Sequence, residues 1–275
     1  MEHASNILAG ILVPEHGGSP NADDIARLYT LILVMAVVVF VGVEGTLIWF
    51  MIRFRARKGR VAAQIHGNTR LEVGWTIGAA VILVFITAVT FIMLPGIKNP
   101  AASDIDANGN RVASNVAFAS TDQPAPPTGA SMHIRVDGQQ YVWRYTYPDR
   151  GGNALIAYEE MVVPVGMTVI LDISSDDVAH SWWIPKLGGK FDALPGYVNH
   201  TWFKVPKAGT YTGQCAELCG RNHANMYARV RAVPFPQYEQ WADQAAKDIK
   251  TARDEAASER KQLTDRQAAA ATGGG

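Results

Sequence analysis

Two long apolar runs near the start of the sequence restrict the fold more than any other feature. Residues 28–52 contain one charged side chain, Glu44, and residues 73–97 contain none. Each run has 25 residues, whereas a helix needs only about 20 to cross the hydrocarbon core of a bilayer. The sequence therefore predicts a transmembrane hairpin over residues 28–98, with spans at 28–52 and 73–97.

The loop between the two spans, residues 53–72, gives the expected orientation. Its residues 53–71 carry six basic side chains and no acidic one, and such loops stay on the cytoplasmic side. Both termini and everything after residue 98 are then expected on the periplasmic or equivalent extracytoplasmic side of the cell membrane. Residues 1–27 hold four acids and one arginine. They lack the basic start of a cleaved signal peptide and are predicted to form an extracytoplasmic tail.

The composition excludes several classes of protein. The chain has 25 basic and 25 acidic residues, so no excess of positive charge is available for nucleic acid. Two cysteines are too few for a disulfide-built scaffold. The apolar content, 48%, is too high for a disordered chain.

The part of the chain after the hairpin divides into three predicted segments. Residues 99–131 are rich in Pro, Ala, Ser and Asn, which is typical of an exposed linker. Residues 132–235 alternate apolar and polar side chains in short runs separated by turns, which predicts an all-β sandwich or small Greek-key barrel. Residues 236–275 are charged and alanine-rich and are predicted to form a surface helix that frays.

One short segment carries the candidate chemistry. Cys215, Cys219, His223 and Met226 fall within twelve residues, and sulfur ligands together with imidazole favour copper. Two thiolates four residues apart can bridge a pair of copper ions, which would share one electron hole and reorganise little on reduction. A disulfide is the common alternative for two exported cysteines, and zinc is a second. The added His and Met favour copper.

A second imidazole must come from elsewhere in the sequence. His180 follows a predicted strand at a turn, where a ligand side chain could project, and it is a modest favourite. His133 and His200 lie in strand-like runs without a sulfur neighbour. His3 and His16 belong to the N-terminal tail, and His66 lies in the predicted cytoplasmic loop.

These residues resemble subunit II of the haem–copper cytochrome c oxidases. The similarity rests on Cys-Ala-Glu-Leu-Cys-Gly-x-Asn-His-x-x-Met from Cys215, on Asp-Val-x-His-Ser-Trp from Asp177, and on Lys-x-Asp-Ala-x-Pro-Gly over residues 190–196. The segment from Asn68 to Thr76 resembles the start of that family's second span. The likeness covers roughly residues 28–235.

The resemblance implies a cupredoxin-like domain with a binuclear copper A centre. In that arrangement Cys215 and Cys219 bridge both ions, and His180 and His223 each bind one. Met226 and the main-chain carbonyl of Glu217 are weak ligands. The implied function is to accept electrons from cytochrome c and pass them to haem in subunit I, where oxygen is reduced to water and protons are translocated. The enzyme is then the complex, and this chain carries no oxygen chemistry itself.

The resemblance also implies roles outside the copper ligands. The Glu217 side chain is a magnesium candidate at the boundary with subunit I, and Glu72 is a candidate for a proton-uptake path. Tyr141 and Trp143 are the candidates for accepting electrons, although the family usually has Trp-x-Trp there. The expected partners are subunit I, subunit III, membrane lipid and a cytochrome c that is either soluble, tethered or integrated. Without Cys-x-x-Cys-His, no haem is expected to be attached covalently to this chain.

Two other functions are compatible with parts of this pattern. A membrane-anchored copper carrier or metallochaperone would use similar ligands, but it would usually place Pro after the second cysteine and show a βαβ pattern. A quinol-oxidase subunit II would keep the spans and the sandwich but lack the copper ligands.

Residues 132–235 contain ten basic and nine acidic side chains, so the sequence does not predict strong electrostatic steering of a basic donor. Glu44 is assigned either to function or to packing against a partner helix.

Overall fold

The structure is a computed structural model that describes residues 12–56, 59, 64, 66–111, 130–150 and 154–272, with the backbone alone at 268–272. Within these described residues the fold has three long helices and ten strands. The helices are α1 (Pro20–Arg53), α2 (Thr69–Lys98) and α3 (Phe235–Thr272). The strands are β1 (Ser131–Gln139), β2 (Val142–Thr146), β3 (Ile156–Tyr158), β4 (Glu160–Pro164), β5 (Thr168–Ser175), β6 (His180–Trp182), β7 (Phe191–Ala193), β8 (Asn199–Lys204), β9 (Gly209–Gln214) and β10 (Tyr227–Val233).

Helices α1 and α2 form the predicted hairpin. Both are long and apolar enough to cross a membrane, and their most apolar stretches are not buried within the chain. Asn68 caps α2 by accepting the Leu71 N–H at 3.2 Å, which satisfies one of the backbone donors left free at a helix start. Helix α1 begins at Pro20, ahead of the apolar run, because a proline in the first turn needs no hydrogen-bond acceptor.

The β-strands form the predicted sandwich. One sheet has the order β3-β2-β1-β5-β8, a second has the order β4-β10-β9, and β6 pairs with β7. Alternate side chains of β1 and β5 face the second sheet, so that Val136, Leu171 and Ile173 are completely buried. This alternation follows from the two-residue period of a strand. The predicted fold class, a transmembrane hairpin followed by an all-β domain, is confirmed.

The β domain sits directly on the end of the hairpin that holds the start of α1 and the end of α2. The Trp202 indole N–H donates to the Ile97 carbonyl of α2 at 3.1 Å, and the Asn21 amide of α1 donates to the Trp202 carbonyl at 2.9 Å. The Ser19 hydroxyl accepts the Lys204 N–H at 3.1 Å. Because Ser19, Asn21 and Trp202 are all buried, strand β8 is held by both helices.

The interpretation of residues 99–131 as an exposed linker is wrong for its first part. Ala102, Ser103 and Ile105 are buried against the β domain, and the Ser103 hydroxyl accepts the Thr168 N–H at 2.8 Å. Apolar side chains and a satisfied hydroxyl therefore bind this segment to the sheet. Residues 112–129 of the segment lie outside the described residues.

Helix α3 combines a packed start with an exposed remainder. Tyr238 and Ala242 are buried against the sandwich, and Arg150 forms ion pairs with Glu239 at 2.7 Å and with Asp243 at 2.9 Å. From Lys250 on, the described side chains are exposed. The distal part of α3 therefore lies on the surface, whereas the first turns belong to the core.

A buried carboxylate on β1 provides the first testable prediction. Asp137 is completely buried and pairs with Arg135 and Arg144, both at 2.9 Å. Burial raises the pKa of this carboxyl, but hydrogen bonds from Ser174 and Arg144 outweigh it and leave the pKa below its ordinary value. Asp137→Asn is therefore expected to lower the free energy of unfolding by about 3 kcal/mol at neutral pH.

The sign of the pH dependence follows from the lowered pKa. The stability contributed by the Asp137 charge is complete above the unfolded-state pKa of about 3.9 and is lost as pH falls through the folded-state pKa. Urea unfolding of both proteins between neutral and acid pH measures this, and the difference between them should shrink below about pH 4. The control is Asp172→Asn, which removes a part-exposed partner of His200 and should cost under about 1 kcal/mol. Equal losses in the two variants would contradict the assignment.

Candidate metal centre

The loop between β9 and β10 brings most of the candidate ligands together. The Cys215 N–H donates to the Met226 carbonyl at 2.8 Å, which closes the loop at its base. A short 3₁₀ turn over His223–Asn225 then directs the His223 ring back towards Cys219. Cys215, Cys219 and Met226 are buried, so the sulfur atoms face inward and away from water.

The donor atoms of the loop form a compact group around the two thiols. The two Sγ atoms are 3.9 Å apart. His223 Nδ1 lies 3.6 Å from Cys219 Sγ, and Met226 Sδ lies 3.9 Å from the same atom. On the other side, the Glu217 carbonyl oxygen lies 3.2 Å from Cys215 Sγ. Each thiol therefore has further donor atoms of its own.

His180 completes the group from a different part of the fold. It begins β6, where its ring is completely buried, and its Nδ1 lies 3.8 Å from Cys215 Sγ. Its Nε2 faces Asp177 Oδ1 at 2.8 Å. Because a carboxylate only accepts, we assign the ring proton to Nε2, which leaves Nδ1 free to bind a metal.

The position of the His180 ring is further restricted by two neighbours. The ring makes an edge contact with Trp143, with centroids 5.8 Å apart. A Cβ atom on Gly138 would lie 2.9 Å from the imidazole and 3.2 Å from the Trp143 ring. Only glycine therefore leaves room for this ring at that point of β1.

The pKa values of the two thiols are shifted in opposite directions. For Cys215, burial raises the pKa, but hydrogen bonding with His180 and the backbone outweighs burial, and the net pKa is lowered. For Cys219, burial and the neighbouring Cys215 charge both raise the pKa. One thiolate therefore forms readily, whereas a second negative charge needs a cation between the sulfur atoms.

This donor set fits a metal better than a disulfide. Both cysteines are free, and their sulfur atoms are far beyond the roughly 2.05 Å of an S–S bond. Donors about 2.2 Å from a shared ion in tetrahedral geometry are about 3.6 Å apart. The ligand atoms of His180, Cys215 and Cys219 all lie within 4.8 Å of one another. Two thiolates and two imidazoles suit copper or zinc, and the added thioether of Met226 favours copper.

The remaining candidates occupy distinct positions. The Glu217 side chain is exposed, while its carbonyl faces Cys215. Of the two candidates for accepting electrons, Trp143 is completely buried and Tyr141 is part-exposed. A Cβ atom on Gly220 would lie 2.7 Å from the Tyr141 hydroxyl, so this ring covers the ligand loop.

Glu72 lies in the first turn of α2, at the end of the hairpin remote from the β domain, and its carboxylate accepts the Asn68 N–H at 3.4 Å.

Sequence reasoning missed two residues of the site. Gln140 donates through its side chain to the Cys219 carbonyl at 2.6 Å and through its backbone N–H to Asp177 at 2.7 Å. Asp177 in turn holds His180. The three-residue spacing between Asp177 and His180 was a usable signal for Asp177, whereas nothing local marked Gln140.

Comparison with known proteins gives consistent matches. The family model described as the periplasmic domain of cytochrome c oxidase subunit II matches residues 150–233, and the model for its transmembrane domain matches residues 9–93. A cytochrome c oxidase subunit 2 of Thermostichus vulcanus is 33% identical over 85% of this chain and 78% of its own length. Another, from Alkalihalophilus pseudofirmus, is 30% identical over 85% of this chain, which spans 62% of that relative.

Among solved structures, the periplasmic domain of subunit II of cytochrome oxidase from Bradyrhizobium japonicum is similar to part of the chain. The sequence identity is 35%, with 44% of this chain and 97% of that domain covered, at a TM-score of 0.42.

Proposed function

Because the chain belongs to the cytochrome c oxidase subunit II family, whose members are parts of a membrane oxidoreductase complex, we propose that it carries the centre where electrons enter a terminal oxidase. It would accept electrons singly from a cytochrome c and pass them to haem in subunit I, where oxygen is reduced to water and protons are translocated. The observation that carries this proposal is the pair of buried, unbridged thiols with one imidazole Nδ1 beside each.

The proposed ligand set follows from the donor positions. Cys215 and Cys219 would hold both copper ions, His180 and His223 would each hold one, and Met226 and the Glu217 carbonyl would be weak ligands. When bound, such a pair supplies a one-electron acceptor whose charge is shared between both ions. The protein's part is to hold the six donors rigidly and to exclude water, which keeps the rearrangement on reduction small. Complete burial of His180 and Met226 suits a resident cofactor better than a carrier that must release its metal.

The exposed Glu217 carboxylate is the proposed ligand for a magnesium ion shared with subunit I. Hard oxygen donors suit magnesium, which usually takes only one or two carboxylates from a protein. The main-chain carbonyl of the same residue faces Cys215 at 3.2 Å. One residue would thus connect the copper pair to the neighbouring subunit.

Electron acceptance is proposed at Tyr141 and not through strong charge steering. Tyr141 is the part-exposed aromatic ring over the ligand loop, whereas acidic groups near the domain surface are partly neutralised. Asp176 pairs with Arg144 at 2.9 Å, and Glu160 pairs with Arg231 at 2.7 Å. A donor that is tethered or integrated in a larger complex fits this surface as well as a soluble one.

The orientation in the membrane remains a proposal based on charge. The two spans make the chain a membrane protein, and the basic loop between them is placed in the cytoplasm. The copper domain and both termini would then lie on the periplasmic side. Glu72, at the cytoplasmic end of α2, is proposed to lie at a proton-uptake path. Glu72→Gln would keep an acceptor for the Asn68 N–H while removing the ionisable group.

A pair of histidine variants tests the ligand assignment. His223→Asn is expected to abolish the spectrum of an electron shared by two copper ions, because Cys219 loses its imidazole neighbour. His200→Asn should leave the spectrum unchanged, because His200 pairs with Asp172 on the sheet surface at 2.7 Å. Electron paramagnetic resonance of the copper-loaded whole chain measures both. Equal loss in the two variants would show that the ligand choice is wrong.

A further inference from the structure

A groove of about 890 Å³ runs along the hairpin from its outer end. Helix α1 contributes most of its wall, Phe85 of α2 contributes to the deep end, and the segment before α1 closes the rim. Its lining includes His16, Asp23, Arg27, Leu31, Met35 and Phe85. The rim is polar and the deep part is apolar, as at a membrane–water boundary.

Glu44 indicates which side of α1 faces other subunits. Its side chain is exposed in this chain, although it lies near the middle of an apolar span, where an acid almost always faces protein or a water-filled cavity. At 100° per residue, Leu31 lies about 140° and Met35 about 180° from Glu44 around the helix axis. The groove therefore opens away from the side that needs a protein partner, and towards lipid.

The depth of the groove matches one leaflet of a bilayer. Arg27, Leu31 and Met35 are spaced four residues apart and form one stripe, which is about 12 Å long at a rise of 1.5 Å per residue. Half of the hydrocarbon core is about 15 Å thick. Arg27 stands at the boundary of the apolar run, so the stripe extends from the outer interface almost to the bilayer centre.

The rim carries both signs of charge. Arg27 pairs with Asp24 at 3.0 Å, yet its side chain stays 73% exposed and retains free guanidinium donors. Asp23 accepts the Gly17 N–H through one oxygen at 2.6 Å, which holds the segment beside His16 against the helix. A guanidinium beside a carboxylate matches a headgroup with a phosphate and an ammonium group.

We propose that this groove binds one phosphatidylethanolamine molecule of the outer leaflet. Its phosphate contacts Arg27, its ammonium group contacts Asp23, and an acyl chain lies along Leu31, Met35 and Phe85. The bound lipid would fill the gap between the outer ends of α1 and α2, next to the residues that contact the β domain.

Native mass spectrometry of the whole chain in mild detergent, titrated with phosphatidylethanolamine, tests the site. Leu31→Trp fills the groove and is expected to abolish the single tight lipid adduct. Arg27→Gln should weaken it about fivefold, the effect of one basic contact at a membrane surface. The matched controls, Met51→Trp and Arg55→Gln, lie towards the cytoplasmic end of the hairpin and should change nothing. Copper stoichiometry should be the same in all variants, which separates this result from a failure of the copper site.

Three outcomes would contradict the proposed lipid site. Wild-type affinity in both groove variants, or tighter binding of phosphatidylglycerol than of phosphatidylethanolamine, would overturn the proposal. A photoreactive amino acid in place of Met35, activated in membranes that contain the assembled oxidase, should give a lipid adduct. An adduct with a neighbouring protein chain would show that a partner subunit covers the groove, and would also overturn it.

Discussion

Replacement of Cys219 by serine is expected to reduce the bound copper from two ions per chain to one at most and to abolish the shared-electron spectrum. Cys219 lies 3.9 Å from Cys215 and 3.6 Å from His223, so its thiolate is one of the two proposed donors that join the two halves of the site. A serine hydroxyl stays protonated at neutral pH and is a hard ligand, which copper does not favour in place of a thiolate.

Copper analysis and electron paramagnetic resonance of the purified whole chain measure this effect. Ser181→Ala is the matched control, because Ser181 lies beside His180 and its buried hydroxyl has no hydrogen-bond partner among the described residues. The control should bind the same amount of copper as the natural chain. Two copper ions with an unchanged spectrum in Cys219→Ser would contradict the bridging role of this thiol.

The second large effect is expected for Gly213→Ala, through stability. A Cβ atom at this position would lie 1.8 Å from the Trp183 carbonyl oxygen and 2.7 Å from the Ile184 Cα. Both are backbone atoms of the segment that follows β6, so no side-chain rotation can relieve the clash. Overpacking of this kind costs about 3 kcal/mol. Since β9 leads directly to Cys215, copper binding should weaken together with stability.

Thr212→Ala is the comparison for this variant, because Thr212 is the preceding residue of the same strand and its side chain is exposed. Its expected cost is below about 1 kcal/mol. Unfolding in urea, followed by tryptophan fluorescence, gives both values. A Gly213→Ala protein as stable as Thr212→Ala would show that the contact with Trp183 is looser than described.

The features that the sequence predicts well are those encoded locally. Membrane spans depend on apolar runs, and the loop from Cys215 to Met226 contains five of the six proposed donors within a single segment. Alternation of side chains also predicts the sandwich, because each strand needs only one apolar face. His180 was a modest favourite from spacing alone, and its position beside Cys215 depends on how β6 pairs and packs.

The features that the sequence did not predict depend on contacts between distant segments. Trp202 binds the Ile97 carbonyl across more than a hundred residues, and no local pattern distinguishes it from any other strand tryptophan. The same applies to Ser103, which contacts the start of β5, and to the buried start of α3. The complete burial of Trp143 beside the His180 ring likewise depends on a contact between β2 and β6, which no local pattern shows.

The most direct test of the central claim is the copper content of the whole chain, determined together with its electron paramagnetic spectrum. The arrangement of Cys215, Cys219, His180 and His223 predicts two copper ions per chain that share one unpaired electron. A single copper ion with a localised electron would contradict this prediction. So would a chain without copper in which Cys215 and Cys219 are joined by a disulfide.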